Sequence, residues 1–424
     1  MARVLVVTNT PHQPATSGYS LRVSAVIAAL TAAGHDVATY AIRGHSGRPH
    51  LTPRTSRSVA ARSRVLLALL RLPSAALCKW YSARACDALH AFGAQWRPDV
   101  VILESSYLAP YRVLFGCPVI FDLHNIESML VENFGGSRRG LVSAAARLEA
   151  RLMRRVEAAI PAVAFGVVVV SQTDRDALLA LAPGADNDQA QRGQAPVGRG
   201  KAPGDEVVVA PNGVSDAAFE VPANLAAEPS AVFIAHLGWR PNIDGALWLA
   251  NEVWPLVRAM VPEAQLQLVG RSPAPAVLAL ASAGAGVSVH ADVDSVLPFL
   301  AEAAVATAPL WTAGGTRLKI LEALATGTPV VSTSLGALGL APPANSLGIA
   351  AEMNAGRGEQ PGPTAGIDPQ HSLTIADTPA DFAKAMAAHL QDPAKSEAAR
   401  RAAEPFRWCR ALKPLVAMVA QSAS

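Results

Sequence analysis

The chain has 424 residues, 51% of them hydrophobic and 16% charged; that is too long for one ordinary core, favours two globular domains and excludes a disordered protein. The formal charge of +3 conceals an asymmetry, since residues 1–180 carry +9 and residues 181–424 carry −6. Cys78, Cys86, Cys117 and Cys409 are scattered without metal-ligand spacing, which argues against a disulfide or zinc framework and for a reducing compartment.

Val4–Thr8 is an apolar, β-branched run of the kind that forms a buried parallel strand. No signal-peptide pattern accompanies it, so a cytoplasmic protein is expected. A polar loop with Pro11, Pro14 and Gly18 follows, then a helix from Ser20, read as its N-cap, to Ala33, stopped by Gly34. Asp36–Tyr40, Val100–Glu104, Val119–Leu123 and Val167–Ser171 read as further strands with helical stretches between them. Arginines recur between Arg54 and Arg84 and again from Arg138 to Arg155, either as a solvated face or as a surface drawn to anionic lipid. Stacking aromatics are not interleaved with them, which argues against nucleic acid. The most apolar run, Ala158–Val170, contains Pro161 and falls short of the ~20 residues that cross a bilayer.

Residues 184–206 are polar and rich in Gly, Ala and Pro, and are read as a flexible surface insertion. The strand Val207–Ala210 and the turn Pro211–Val214 follow, where Asn-Gly suggests φ > 0 and a hinge, and a second series begins near Ser230. Its strands are Ala231–Leu237, Gln265–Val269, Val287–His290, Val305–Pro309 and Val330–Ser334, with helices at 244–259, 293–303, 317–325, 379–391 and 408–420. The pattern predicts an α/β protein of two Rossmann-like, doubly wound parallel-sheet domains facing a cleft, residues 1–206 and 207–400. Residues 401–424 are expected to pack back on the first domain.

Two constellations carry chemistry. In Gly314–Ser334 a Gly-Gly-Thr loop leads into a short helix, whose unpaired N–H groups suit an anion such as phosphate, with Arg317 and Lys319 adding positive charge. In FDLHNIES, residues 121–128, Asp122, His124, Asn125 and Glu127 gather at the carboxyl end of a strand. A neutral imidazole there can accept a proton or bond a sugar hydroxyl, although a lone histidine is often structural.

The first stretch resembles the donor motif of the family 4 retaining glycosyltransferases of the GT-B fold, where Glu-x7-Glu precedes Ala-x-Gly-x-Pro-Val-Val. Residues 121–128 resemble the Asp-x-His-Asn-x-Glu segment of a subset of that family. SGYSLRVSAV from residue 17 is similar to its glycine loop and first helix, AVFIAHLGWRP from residue 231 to its first C-domain strand and glycine loop, and PNGV to its interdomain connection. The resemblance implies hexosyl transfer from a nucleotide diphosphate sugar to an acceptor hydroxyl with retention, in polysaccharide or glycolipid synthesis, with no metal cofactor. It puts Glu322 at the ribose, with Gly18, Gly314, Gly315, Thr316 and Arg317 also on the donor. His124, Arg240 and Lys319 become the catalytic group, the last two at the diphosphate, and Arg22, Asn125 and Glu127 line the acceptor side. The acceptor would be a saccharide or a lipid-linked one, with peripheral membrane contact through the basic N-terminal half. The family's first Glu falls on Gly314, so sugar recognition must rest on other groups. That departure keeps two other readings open: a nucleotide-sugar epimerase, or a degenerate sensor or scaffold that binds nucleotide sugar.

Overall fold

The computed structural model describes all residues except 16, 45–56, 72–73, 137–139, 182–206, 223–228, 284–285, 312–316, 339, 341–371 and 424. The chain forms two compact units, Met1–Pro211 with Ala411–Ser424, and Asn212–Arg410. Among the described residues no helix is long and apolar enough to cross a membrane.

The first unit holds six parallel strands: β1 (Arg3–Thr8), β2 (Asp36–Ala41), β3 (Val100–Leu103), β4 (Val119–Leu123), β5 (Gly166–Val169) and β6 (Val207–Val209), in the order β2-β1-β3-β4-β5-β6. Val4, Leu5, Val6 and Val7 are fully buried, which is why the strand reads as unbroken apolar sequence. β6 corrects the expected boundary. It pairs in parallel with β5, Val167 opposite Val207, and so completes the first sheet instead of opening the second domain.

The helix Gly18–Ala32 begins a turn earlier than expected. Ser17 is its N-cap: its hydroxyl accepts from the Ser20 N–H at 3.2 Å, and the Ser20 hydroxyl accepts from the Ser17 N–H at 2.9 Å. Arg22, Val26 and Leu30 follow at i, i+4 and i+8 on its buried stripe. The helix Lys413–Ser422 belongs to this unit, and Met418 packs so closely on β5 that a Cβ at Gly166 would sit 2.5 Å from its sulfur.

The second unit also holds six parallel strands: β7 (Ser230–His236), β8 (Gln265–Arg271), β9 (Val287–Ala291), β10 (Val305–Ala308), β11 (Val330–Ser332) and β12 (Leu373–Ile375), in the order β12-β11-β10-β7-β8-β9. Each sheet is doubly wound, with helices between successive strands from β1 to β6 and from β7 to β11; most of the segment between β11 and β12 lies outside the described residues. After β7 the chain runs helical from Arg240 to Met260 through a π turn at Leu249–Val253. The helix Leu318–Ala325 ends as expected at Gly327, whose φ is 81°. There the Gly327 N–H donates to Leu324 O and the Thr328 N–H to Ala323 O, both at 2.9 Å, which closes the last turn.

The glycine of Pro211–Val214 serves another purpose than the one expected. Gly213 is not among the positive-φ glycines; a Cβ there would lie 2.6 Å from the Trp408 ring and 2.8 Å from Phe406 O. Space, not a left-handed turn, requires glycine at this position.

Strand order locates the sites. In the first sheet the chain leaves β1 toward β2 on one side and β3 on the other, and in the second it parts at β7 between β8 and β10. Such switch points leave a crevice beyond the carboxyl ends of the strands.

Candidate functional site

In the first unit, Glu104 follows β3 and His124 follows β4, which are neighbouring strands. His124 Nε2 lies 2.8 Å from Glu104 Oε2 and 3.8 Å from Asp122 Oδ2. Arg22 reaches across from its helix and bonds both Asp122 oxygens, Nε to Oδ2 at 2.9 Å and Nη2 to Oδ1 at 2.7 Å. Its Nη1 donates to the carbonyls of Ala210, at 2.9 Å, and Pro211, at 3.2 Å. Arg22, Glu104 and Asp122 are all fully buried. Burial and the Asp122 charge push the Glu104 carboxyl up to about 7, against the opposing effect of its bond to His124. The Tyr19 ring lies 4.9 Å from the His124 ring, and its hydroxyl accepts from the Asn9 N–H at 2.8 Å.

The role expected for Arg22 changes accordingly. Its guanidinium braces Asp122 and the carbonyls just after β6. Ligand-type atoms of Glu104, Asp122 and His124 lie within 4.8 Å of one another, a spacing that would suit a metal ion. Arg22 already supplies the positive charge that balances Asp122 there.

The rest of the segment is built into the scaffold. Glu127 opens the helix Glu127–Gly136, and its Oε2 accepts from the Tyr107 hydroxyl at 2.7 Å. The Glu127 and Ser128 N–H groups donate to the Glu157 carboxylate, at 2.7 Å and 3.3 Å. Burial raises both carboxyls, Glu157 to about 7. Asn125, half-buried, bonds Glu127. Gly18 is exposed at the start of its helix.

In the second unit, Lys319 and Glu322 stand one turn apart on the helix Leu318–Ala325, both half-buried. Lys319 Nζ donates to Asn242 Oδ1 at 3.2 Å and lies 4.6 Å from the centre of the Phe233 ring. Asn242 Nδ2 in turn donates to His236 O, the last residue of β7, at 3.0 Å. Burial, with Arg317 nearby, lowers the Lys319 ammonium to about 7. Burial also raises Glu322 to about 7, with Lys319 opposing the shift. Arg317 is half-buried at the N-cap of the helix. Arg240 heads the helix Arg240–Trp248 but stays exposed and bonds Asp244 at 3.0 Å. Gly314, Gly315 and Thr316 lie outside the described residues.

Three residues escaped the sequence reading: Glu104, Tyr19 and Asn242. Glu104 had a signal, a carboxylate ending the apolar run VVIL.

Each half of the chain matches a family model: residues 17–191 the glycosyl transferase 4-like domain, and residues 228–354 the glycosyl transferases group 1. The chain belongs to the GT-B glycosyltransferases. Among solved structures, this GT-B chain is similar to a glycosyltransferase from Rickettsia africae, with 12% identity, a TM-score of 0.58, and 99% and 98% of the two chains covered. A UDP-forming α,α-trehalose-phosphate synthase from Burkholderia xenovorans covers 100% of both chains at 12% identity and a TM-score of 0.59. Anabaena HepE, solved with UDP-glucose, likewise covers 100% of both at 13% identity and a TM-score of 0.56. No curated protein sequence matches the chain.

Proposed function

We propose that the protein transfers a sugar from a nucleotide diphosphate sugar to an acceptor hydroxyl with retention. The observation that carries this reading is the pair Lys319 and Glu322 on the first turns of a helix beside the β7/β10 switch point. An ammonium held near neutrality by burial gains most from an arriving diphosphate, and the helix N-terminus adds its own attraction. Glu322 accepts from the vicinal ribose hydroxyls. As the nucleoside diphosphate leaves, its charge is met by Lys319 and the helix, with Arg240 free to swing from its exposed pair with Asp244. This chemistry requires no divalent metal.

His124 serves the transferred sugar or the acceptor, with Asn125 and Glu127 shaping its loop. A lipid-linked acceptor accords with the helix Val59–Arg71, which exposes Leu66, Leu67 and Leu70 beside Arg64 and Arg71. HepE was solved with UDP-glucose, so uridine diphosphate sugars are the first donors to try. The test is a thermal-shift screen against nucleoside diphosphates and their sugars, followed by a transfer assay on the donor that binds. Stabilisation by a donor and product with an acceptor support the reading; no response to any of them overturns it. Gly314 in place of a carboxylate favours a second reading, a protein that binds nucleotide sugar without turning it over. Binding without product across an acceptor panel would select that one.

A further inference from the structure

We infer that the helix Val59–Arg71 is a docking surface that lies flat on a bilayer carrying anionic lipid. The inference goes beyond the transferase reading and holds whatever the acceptor is. The helix has two apolar stripes. Ala61, Val65 and Leu69, at i, i+4 and i+8, are buried and join the core of the first unit. Val59, Leu66 and Leu70, at i, i+7 and i+11, follow a second line and are exposed by 74%, 44% and 76%, with Leu67 beside them at 57%. Single exposed leucines are ordinary, but four apolar side chains on one face of a 13-residue helix form a patch. The first stripe already seats the helix on the core, so the second is offered to solvent without any unfolding.

Charge selects the occupant. The helical repeat puts Arg62 at one border of the exposed stripe and Arg64 and Arg71 at the other. Arg62 is paired with Asp87, Nε to Oδ1 at 3.0 Å, and Arg64 donates to the Val113 carbonyl. Among the described residues neither Arg64 nor Arg71 has a carboxylate partner. The helix contains no acidic residue, and from Val37 to Cys86 the sequence has nine Lys or Arg and no Asp or Glu. Apolar side chains bordered by guanidiniums match the boundary between acyl chains and phosphate headgroups. Two copies meeting through this face would set arginine against arginine, and the stripe has no aromatic ring on which a base could stack. At 13 residues the helix falls short of the ~20 that span a bilayer, so it rests in the interface.

The test is flotation of the full chain with vesicles of phosphatidylcholine, alone or with about 30% phosphatidylglycerol, in low and high salt and without sugar donor. The wild type is expected to float with the anionic vesicles only and to be released as salt rises. The triple variant Leu66→Gln, Leu67→Gln, Leu70→Gln should lower the partition coefficient about a hundredfold, and Arg64→Gln with Arg71→Gln about thirtyfold. All five side chains are exposed, so the melts should match the wild type. Leu256→Gln, at an exposed leucine of the second unit, should float as the wild type does. No binding to anionic vesicles, equal binding to neutral ones, or unchanged binding in the leucine variant overturns the proposal, as does an equal loss in Leu256→Gln. A dimer in light scattering that the leucine variant abolishes, with the wild type left unbound by vesicles, would give this face to a second copy and overturn it too. If the variants fail to fold, the wild type on the two kinds of vesicle decides alone. The readout needs no donor, so a failed transfer assay leaves it standing, and failed flotation leaves the transferase reading standing.

Discussion

At the β1/β3 switch point of the first unit, two carboxylates, an arginine and a histidine are bonded into one buried network. At the β7/β10 switch point of the second, a lysine and a glutamate rest one turn apart, with an asparagine and a phenylalanine ring as the lysine's neighbours. Both crevices hold opposite charges, yet they use them differently. The first pairs a permanent cation with Asp122 through two bonds and sets the Glu104 carboxyl against the His124 ring. In the second, burial moves both groups toward neutrality because neither is given a bidentate partner. A charge already satisfied holds a fold together; one poorly satisfied is ready for a ligand.

The largest effect should come from breaking the first network. Arg22→Met leaves Asp122 buried without its partner and should destabilise the protein by ~3–5 kcal/mol, read as a lower urea midpoint. A midpoint near the wild type would mean that the pair is dispensable. In the second unit the cost should fall on activity: Glu322→Ala is expected to lose about a hundredfold in transfer, ~3 kcal/mol, with little change in melting. Full activity in that variant would remove Glu322 from the donor site.

The contrast sharpens with pH. With its ammonium lowered to about 7, folded Lys319 holds less proton than the unfolded chain between about pH 7 and 10.5, so this residue adds stability as pH rises through that window. A bound diphosphate reverses the shift. Near pH 8 binding should draw up to about one proton, and affinity should fall by up to about tenfold per pH unit above neutrality. Calorimetry in buffers of differing ionisation heat reads the uptake, and Lys319→Met should abolish it. Equal heats in all buffers would exclude Lys319 as the diphosphate's partner. The smallest effect concerns the helix that carries Arg22: Ser17→Ala should cost ~1 kcal/mol through loss of the cap, visible in the same urea melts.

Strands buried on both faces were legible because each reads as a short β-branched run; Val119–Leu123 falls on the expected residues. β12 was missed because three residues show no period. β6 was assigned to the wrong unit because chain order says nothing of which strand pairs beside it. The partner of Arg22 was illegible for a related reason. Its place on the Val26–Leu30 stripe was visible, but the carboxylate that lets it be buried lies 100 residues away. The histidine segment and the Lys319–Glu322 turn were readable as motifs, whereas Glu104 gains meaning only when β3 is placed beside β4.

The return of the chain at Ala411 also sets an order of events during synthesis. The second unit is one continuous stretch, Asn212–Arg410, and can close as soon as it clears the ribosome. The first unit, although begun earlier, waits for Met418 to reach the space that Gly166 leaves open on β5. The half made first is therefore the half finished last.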